Sequence, residues 1–328
     1  MQTAAHASLD QVLLVISLCA YTVAAIALFI YLFSREEWLK HLAIPLTIAG
    51  CVAQFIQLGA RFELTGVWPL LNLYGSLSLF AAMSVAIFVV FAFKYKLWFA
   101  GGFVLAIAAI AVAYGVTWNE GTMPAVPSLQ SYWAKIHVPL VVTSYAAFLL
   151  SFVISGLYLV KSYFEQSLGR RSTAMIPATV GAGEGSMHLS APYSGVNIRS
   201  VRADTPNIAA AAEQGSTLAL WLNTLPGLAQ LDVLIYRSVA VGLPLLTLGI
   251  ITGAMWAHEA WGAYWQWDPK ETAALFSWII YASYMHLHTR NQWRGMRSSW
   301  VSVIGFLSIV FCYLGVNIWI SGLHSYKM

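Results

Sequence analysis

Apolar residues occur along this chain in long unbroken runs, and polar residues gather in the stretches between them. Eight runs stand out, at roughly 11–33, 42–60, 73–93, 97–116, 138–160, 238–257, 272–288 and 300–321. Each approaches the ~20 residues that an α-helix needs to cross a hydrocarbon core. Backbone groups in lipid must satisfy their own hydrogen bonds, so such runs predict helices rather than open strands. The pattern therefore predicts an all-α integral membrane protein with about eight transmembrane helices. The first run is too long for the apolar part of a cleavable leader and has no basic segment ahead of it, so it reads as a true span.

Composition agrees with the pattern. Of the 328 residues, 59% are hydrophobic and 9% charged, against roughly a quarter charged in a soluble domain. The net charge of +4 matters less than where it falls. Eight spans put the segments 34–41, 94–96, 161–237 and 289–299 on one side, and these hold 13 of the 17 basic residues. With the long segment left out, the split is still 7 to 4. The positive-inside rule makes that side cytoplasmic, and both termini then face outward.

One composition shift interrupts the order. Residues 165–235 are rich in Gly, Ser, Ala and Pro. The chain thus divides into 1–161, the first five helices; 162–237, a flexible cytoplasmic linker; and 238–328, the last three helices. Within the linker, 216–233 is apolar but short, which suits an interfacial segment. There is no internal repeat. Cys19, Cys51 and Cys312 each lie inside an apolar run and form no CxxC or CxxCH pair, so they read as small buried hydrophobes rather than disulfide, zinc or c-haem cysteines.

The densest chemical signal is Trp256-Ala-His-Glu-Ala-Trp261-Gly262-Ala-Tyr-Trp265-Gln-Trp267-Asp268-Pro-Lys270-Glu271, in an outer loop between two spans. Part of it has a local explanation. Asp268 at an N-cap, Pro269 at the first helical position and Glu271 at N3 form a capping box that starts the next helix. A single interfacial tryptophan would also mean little. Neither point explains Trp261, Trp265 and Trp267 around Gly262. On a helix, Trp261 and Trp265 would share a face one turn apart, with Trp267 close by. Gly262 would leave room for close approach. Such a shelf suits a large planar ligand held by stacking. Haem is a planar ligand that also takes axial nitrogens and cationic partners for its propionates.

Two histidines fall on the same side of the predicted topology: His137, at the start of the fifth span, and His324, after the eighth. Each alone is more often a structural histidine, but both lie at the depth of the tryptophan loop, and two imidazoles can hold one iron from opposite faces. At the other membrane face, His286 and His288 end the seventh span. They are about 200° apart on a helix, so they cannot share a site. An ionisable residue inside a span is a functional candidate by default, although the neighbouring Arg290 and Arg294 also suit a snorkelling helix end. Lys270 can pair with a propionate or serve as a water-facing capping residue. His258 lies near the shelf, while His6, His41 and His188 read as surface residues. There is no Ser/His/Asp or metal-hydrolase arrangement.

The segment "WAHEAWGAYWQWDPKETAALFSWIIYASYMHLHTR" resembles the tryptophan-rich WWD signature of haem-handling proteins in cytochrome c maturation. Its "WDPKE" form, preceded by "GLPLLTLGIITGAMW", is similar to the CcsA (ResC) family of system II cytochrome c synthase subunits. "HVPLVVTSYAAFLLSFVISG" and "FCYLGVNIWISGLHSY" resemble that family's histidine motifs. "WPLLNLYGSLSLFA" resembles its P-x-x-N-x-Y-E-S stretch, with Gly75 where Glu is usual. The resemblance covers most of the chain outside the linker and the first span.

The resemblance implies haem b as ligand and substrate, and His137 and His324 as ligands of an external haem iron. His288, in the "HTR" triplet, is implied for a second, intramembrane haem; His286 has no counterpart. The implied activity is that of a cytochrome c haem lyase, or holocytochrome c synthase, acting as a subunit of a complex. It joins haem vinyl groups to the thiols of CxxCH in apocytochrome c. The implied partners are a CcsB (ResB)-type subunit, apocytochrome c and a thiol-reducing thioredoxin-like protein, with no nucleic acid. The implied location is the bacterial cytoplasmic membrane, with the haem-presenting loop outside. Other readings are a haem exporter without attachment activity and a non-catalytic membrane scaffold docking partners through its aromatic loop. A system I haem chaperone is a further alternative, which the "PKE" after "WD" argues against.

Overall fold

The computed structural model describes residues 2–66, 68–69, 72–118, 131–174 and 217–316. Every regular element among them is helical. The helices are α1 (Gln2–Ser34), α2 (Glu37–Thr65), α3 (Leu73–Tyr95), α4 (Trp98–Val116), α5 (Tyr132–Ala174), α6 (Thr217–Thr224), α7 (Leu228–Trp261), α8 (Pro269–His288) and α9 (Met296–Val310). A π turn, Phe311–Gly315, continues α9.

Among the described residues, seven helices are long and apolar enough to cross a membrane: α1 to α5, α7, and α9 with its π turn. The expected span at 272–288 is α8, a helix of 20 residues whose Tyr, Ser and His residues lower its hydropathy. Its contacts nevertheless run the depth of its neighbours. His288 pairs with Asp232 and Trp278 with Thr247, which sets α8 antiparallel to α7. The carbonyl of Lys270 meets Cys312, Ser308 meets Ser277, and Tyr281 meets Ser302, which sets it antiparallel to α9. The polar residues Ser277, Tyr281, Tyr284 and His288 are the buried ones of α8, while Phe276 and Ile279 are exposed, so the side chains that lower its hydropathy face the neighbouring helices.

By chain contacts, residues 1–158 and 227–328 form one unit and 159–226 a second. In the first, α1 to α4 share a core of Tyr21, Ala24 and Leu28 from α1, Ala43 and Cys51 from α2, Ala81 and Val85 from α3, and Leu105, Ala108 and Val112 from α4. Lipid is as apolar as leucine, so helices in it associate by close packing rather than by escape from water. Small residues make that possible: Gly50 leaves space for the Tyr21 ring, and Gly101 for Leu28 and Phe88. The other helices pack through flat aromatic contacts, such as Phe148 of α5 on Tyr281 of α8 at 3.7 Å and Phe152 on Phe306 of α9 at 4.8 Å.

Near the N-terminal end of α1 lies a buried polar cluster. Arg61 pairs with Asp10 at 3.1 Å and lies 4.1 Å over the Tyr74 ring. The Gln57 amide donates to Asp10 and to the Tyr74 hydroxyl. A charge in this environment persists only when paired. Gly75, where the resemblance expects Glu, follows Tyr74. A Cβ there would lie 1.4 Å from the Pro69 carbonyl oxygen, so any side chain demands that this loop move.

Several boundaries differ from expectation. Helix α5 does not stop at 161 but continues to Ala174, and α7 begins at Leu228 rather than 238, so both ends of the expected 162–237 linker are helical. The apolar piece 216–233 is not one segment. Pro226 and Gly227 break it into α6 and the first turns of α7. In the second unit, the buried Lys161 amine donates to the carbonyls of Leu225 and Pro226, which closes the end of α6. Cys51 and Cys312 are buried as expected, whereas Cys19 lies on the outer surface of the bundle; all three are free thiols.

Candidate functional site

The tryptophan segment is built on the junction between α7 and α8. Helix α7 ends at Trp261 because Gly262 adopts the left-handed conformation, φ 79°, and donates its N–H to the His258 carbonyl. Helix α8 begins where expected. The Asp268 side chain accepts from the Lys270 N–H at 3.0 Å, and Glu271 accepts from the N–H groups of Asp268 and Gln266, with Pro269 at the first position.

This geometry corrects one expectation. Trp261 and Trp265 do not share a helical face, since the helix stops between them. Gly262 supplies the backbone freedom that ends the helix, and the space beside it is open, with nothing within 4 Å of where its Cβ would be. The aromatic rings group otherwise. Trp261 lies 5.3 Å from the buried Trp256, and Trp265 lies edge-on to Trp267 at 5.7 Å. Trp267 is a bulky residue at φ 58° and is 68% exposed. A left-handed backbone at such a residue carries strain, and here it turns a large indole outward. His258 is exposed and stacks on Tyr264 at 4.2 Å.

His137 lies on α5 against the part of α7 that leads to this junction. Its Nδ1 is 2.7 Å from the Gly249 carbonyl oxygen on α7, and its ring lies 5.7 Å from Trp256. The approach depends on small residues. A Cβ on Gly253 would sit 2.7 Å from the His137 ring, one on Gly249 would sit 2.5 Å from Val141, and one on Gly242 would sit 2.7 Å from Phe148. A carbonyl can only accept, so Nδ1 carries the proton of this bond. In the neutral ring the lone pair then belongs to Nε2. A histidine whose other nitrogen is held in this way is oriented as a metal ligand.

Two residues of this cluster, Trp68 and Trp133, have no role in the sequence expectation, and Trp256 opens the tryptophan-rich segment without being one of its expected shelf residues. Together with Trp261 and Ala260 they pack around Ala134. Trp133 precedes His137 by one helical turn, a spacing that could have marked it. Trp68 is brought in from the α2–α3 connection, and no local pattern reports that. Ser131 ties the start of α5 to the end of α7 through a 2.6 Å hydrogen bond to Glu259.

The other candidates lie elsewhere. Lys270 is half-buried in the first turn of α8, and its carbonyl accepts from Cys312. The π turn carries Cys312 and Tyr313 inward, where Tyr313 donates to Ser76 and Tyr145 meets the Cys312 sulfur. His324 lies outside the described residues. His286 is exposed and His288 buried, as expected for opposite faces. His288 does not face an open space: its Nε2 meets Asp232 at 3.0 Å, and Tyr236 and Tyr284 stack on its ring. Asp232 falls in the stretch read as linker, so its part here was hidden. Asp232 and Gly249 are 17 residues apart on α7. The two histidines thus sit about 26 Å apart along the helix axis, close to the thickness of a hydrocarbon core.

Comparison with known proteins agrees with this architecture. The family model described as Cytochrome C assembly protein matches residues 70–324. The chain is 32% identical over 317 residues to a cytochrome c biogenesis protein CcsA of Guillardia theta, covering 95% of this chain and 92% of that protein. It is 33% identical over 291 residues to the protein of that name in Microcystis aeruginosa, covering 84% of each. Among solved structures, the cytochrome c haem lyase CcmF superposes with a TM-score of 0.60 at 13% identity, over 94% of this chain and 46% of that one. The chain therefore spans about half of CcmF, and that likeness speaks for the fold alone. On the family match over residues 70–324 and the identity to these relatives, the chain belongs to the Cytochrome C assembly protein family.

Proposed function

We propose that the chain takes haem as its substrate and presents it at the outer face of a bacterial cytoplasmic membrane for covalent attachment to apocytochrome c. The observation that carries this reading is the His137–Gly249 hydrogen bond beside Trp256. It holds an imidazole at the edge of a tryptophan cluster with Nε2 as the lone-pair nitrogen. In this reading His324 supplies a second imidazole, while Trp261, Trp265 and Trp267 contact the ring. Gly262 and the Asp268 cap set the turn that carries them, and Lys270 faces a propionate.

Attachment adds each thiol of CxxCH across a haem vinyl group. The S–H bond breaks, a C–S bond forms, and the proton ends on the neighbouring vinyl carbon, so the step needs no external oxidant or reductant. The chain contributes by orientation, which can remove several kcal/mol of barrier. The incoming peptide histidine replaces one imidazole. A CcsB-type subunit completes the assembly, and a thioredoxin-like protein keeps the thiols reduced. In this reading the termini are outside and the segment between α5 and α7 is cytoplasmic, an orientation that the bias of basic residues supports.

Co-expression with the partner subunit and a CxxCH reporter tests this reading. His137→Ala and His324→Ala should each abolish attachment and alter the optical spectrum of the haem that remains. Normal attachment in both variants would sink it. A second reading, a haem exporter without attachment, draws on the two histidines at opposite ends of α7. It predicts outward delivery of haem with no holocytochrome formed by the complex.

A further inference from the structure

His288 and Asp232 form a buried pair at the end of α7 remote from the tryptophans. The two residues are 6% and 8% exposed. One oxygen of Asp232 meets His288 Nε2 at 3.0 Å. The other accepts from the Gly295 N–H at 3.0 Å and from the Ser298 hydroxyl at 3.3 Å. Tyr236 and Tyr284 lie on the imidazole at 4.8 Å and 5.6 Å, each inclined by 26°. Arg294 donates to the His288 carbonyl at 3.0 Å. Carboxylate, ring and the turn between α8 and α9 are thus tied into one unit.

This arrangement does not fit an open haem ligand. Nδ1 of a histidine lies close to its own backbone, so an iron at the centre of a porphyrin is reached through Nε2. The Asp232 carboxylate holds that nitrogen, and two phenol rings occupy the space beside it. Iron and carboxylate cannot both take one nitrogen.

We propose that Asp232 is a latch on His288: it holds the imidazole in a closed state, and iron ligation there requires the carboxylate to let go. The proposal rests on the reading of His288 as an inner haem station. Opening the pair without a replacement leaves the buried carboxylate with the Gly295 and Ser298 donors alone, one hydrogen bond short, which is unfavourable. The closed state therefore persists until something else compensates. Because Gly295 and Ser298 hold the same carboxylate, a shift of the α8–α9 turn moves the latch. A partner bound at that turn would control whether haem is accepted.

The test is haemin titration of the purified full chain in detergent, read by haem content and optical spectrum. A His137→Ala/His324→Ala background removes both imidazoles assigned to the outer haem, so the histidine-dependent signal that remains reports on the inner site. Asp232→Asn keeps the size of the side chain and an acceptor for Gly295 and Ser298 while removing the charge. It should raise haem affinity roughly tenfold, the scale of losing one charge-assisted hydrogen bond, and adding His288→Ala should abolish the gain. Tyr236→Ala, at a half-buried position, uncovers the same ring. It should give a smaller gain with the same dependence on His288, and it serves if Asp232→Asn does not fold. Unchanged or weaker haem binding in both variants, with His288→Ala still losing haem, overturns the latch alone. If His288→Ala changes neither content nor spectrum in any background, the inner station falls and the latch with it.

Discussion

The carbonyl oxygen of Gly249 lies 2.7 Å from Nδ1 of His137, across the interface of α7 and α5. One turn further along α7, Gly253 leaves the room that the imidazole occupies. The backbone of one span thus sets the tautomer and direction of a histidine on another.

Gly253→Ala places a methyl group 2.7 Å from the His137 ring and should swing it off the Gly249 carbonyl. Alanine favours the helix by about 1 kcal/mol over glycine, so the fold should survive. Haem bound at the tryptophan end should fall about tenfold, the cost of one misdirected ligand bond. Haem content and circular dichroism of the purified variant check both halves. Unchanged haem with intact helicity would contradict the positioning role.

Trp267 sits at φ 58° with its indole exposed. Trp267→Gly should relieve about 1 kcal/mol of backbone strain and raise the melting temperature while lowering attachment to the CxxCH reporter. A variant that is less stable, or as active as the wild type, would show that the strained tryptophan serves packing instead.

The capping box at α8 should be separable from haem contact. Asp268→Ala removes the acceptor for the Lys270 N–H and should cost about 1 kcal/mol. Amide hydrogen exchange should then quicken in the first turn of α8 and not in its middle. Asp268→Asn, which keeps an acceptor, should restore most of the protection.

Arg61 and Asp10 test the buried cluster of α1 and α2. Arg61→Leu leaves the Asp10 carboxylate uncompensated and should destabilise the protein by about 3–5 kcal/mol, read as loss of folded protein after extraction. The double variant Asp10→Leu/Arg61→Leu should recover much of the yield. If both variants behave alike, the pair is not the reason for the loss.

Features readable along the chain are those that depend on near neighbours. The spans follow from apolar run length. The α8 cap follows from residues three apart, Asp268 and Glu271, and both its hydrogen bonds are present. The opposite environments of His286 and His288 follow from helical geometry alone. The same local reasoning went astray at Trp261 and Trp265, because one left-handed glycine ended the helix between them.

Relations across helices had no such signature. The pairing of Asp232 with His288, the seat of His137 over Gly249 and Gly253, and the gathering of Trp68, Trp133 and Trp256 all depend on how each helix is rotated and slid against the next. In lipid, rotation and offset are governed by close packing at small residues rather than by an amphipathic face. An apolar run therefore announces a helix without saying which side of it meets a neighbour.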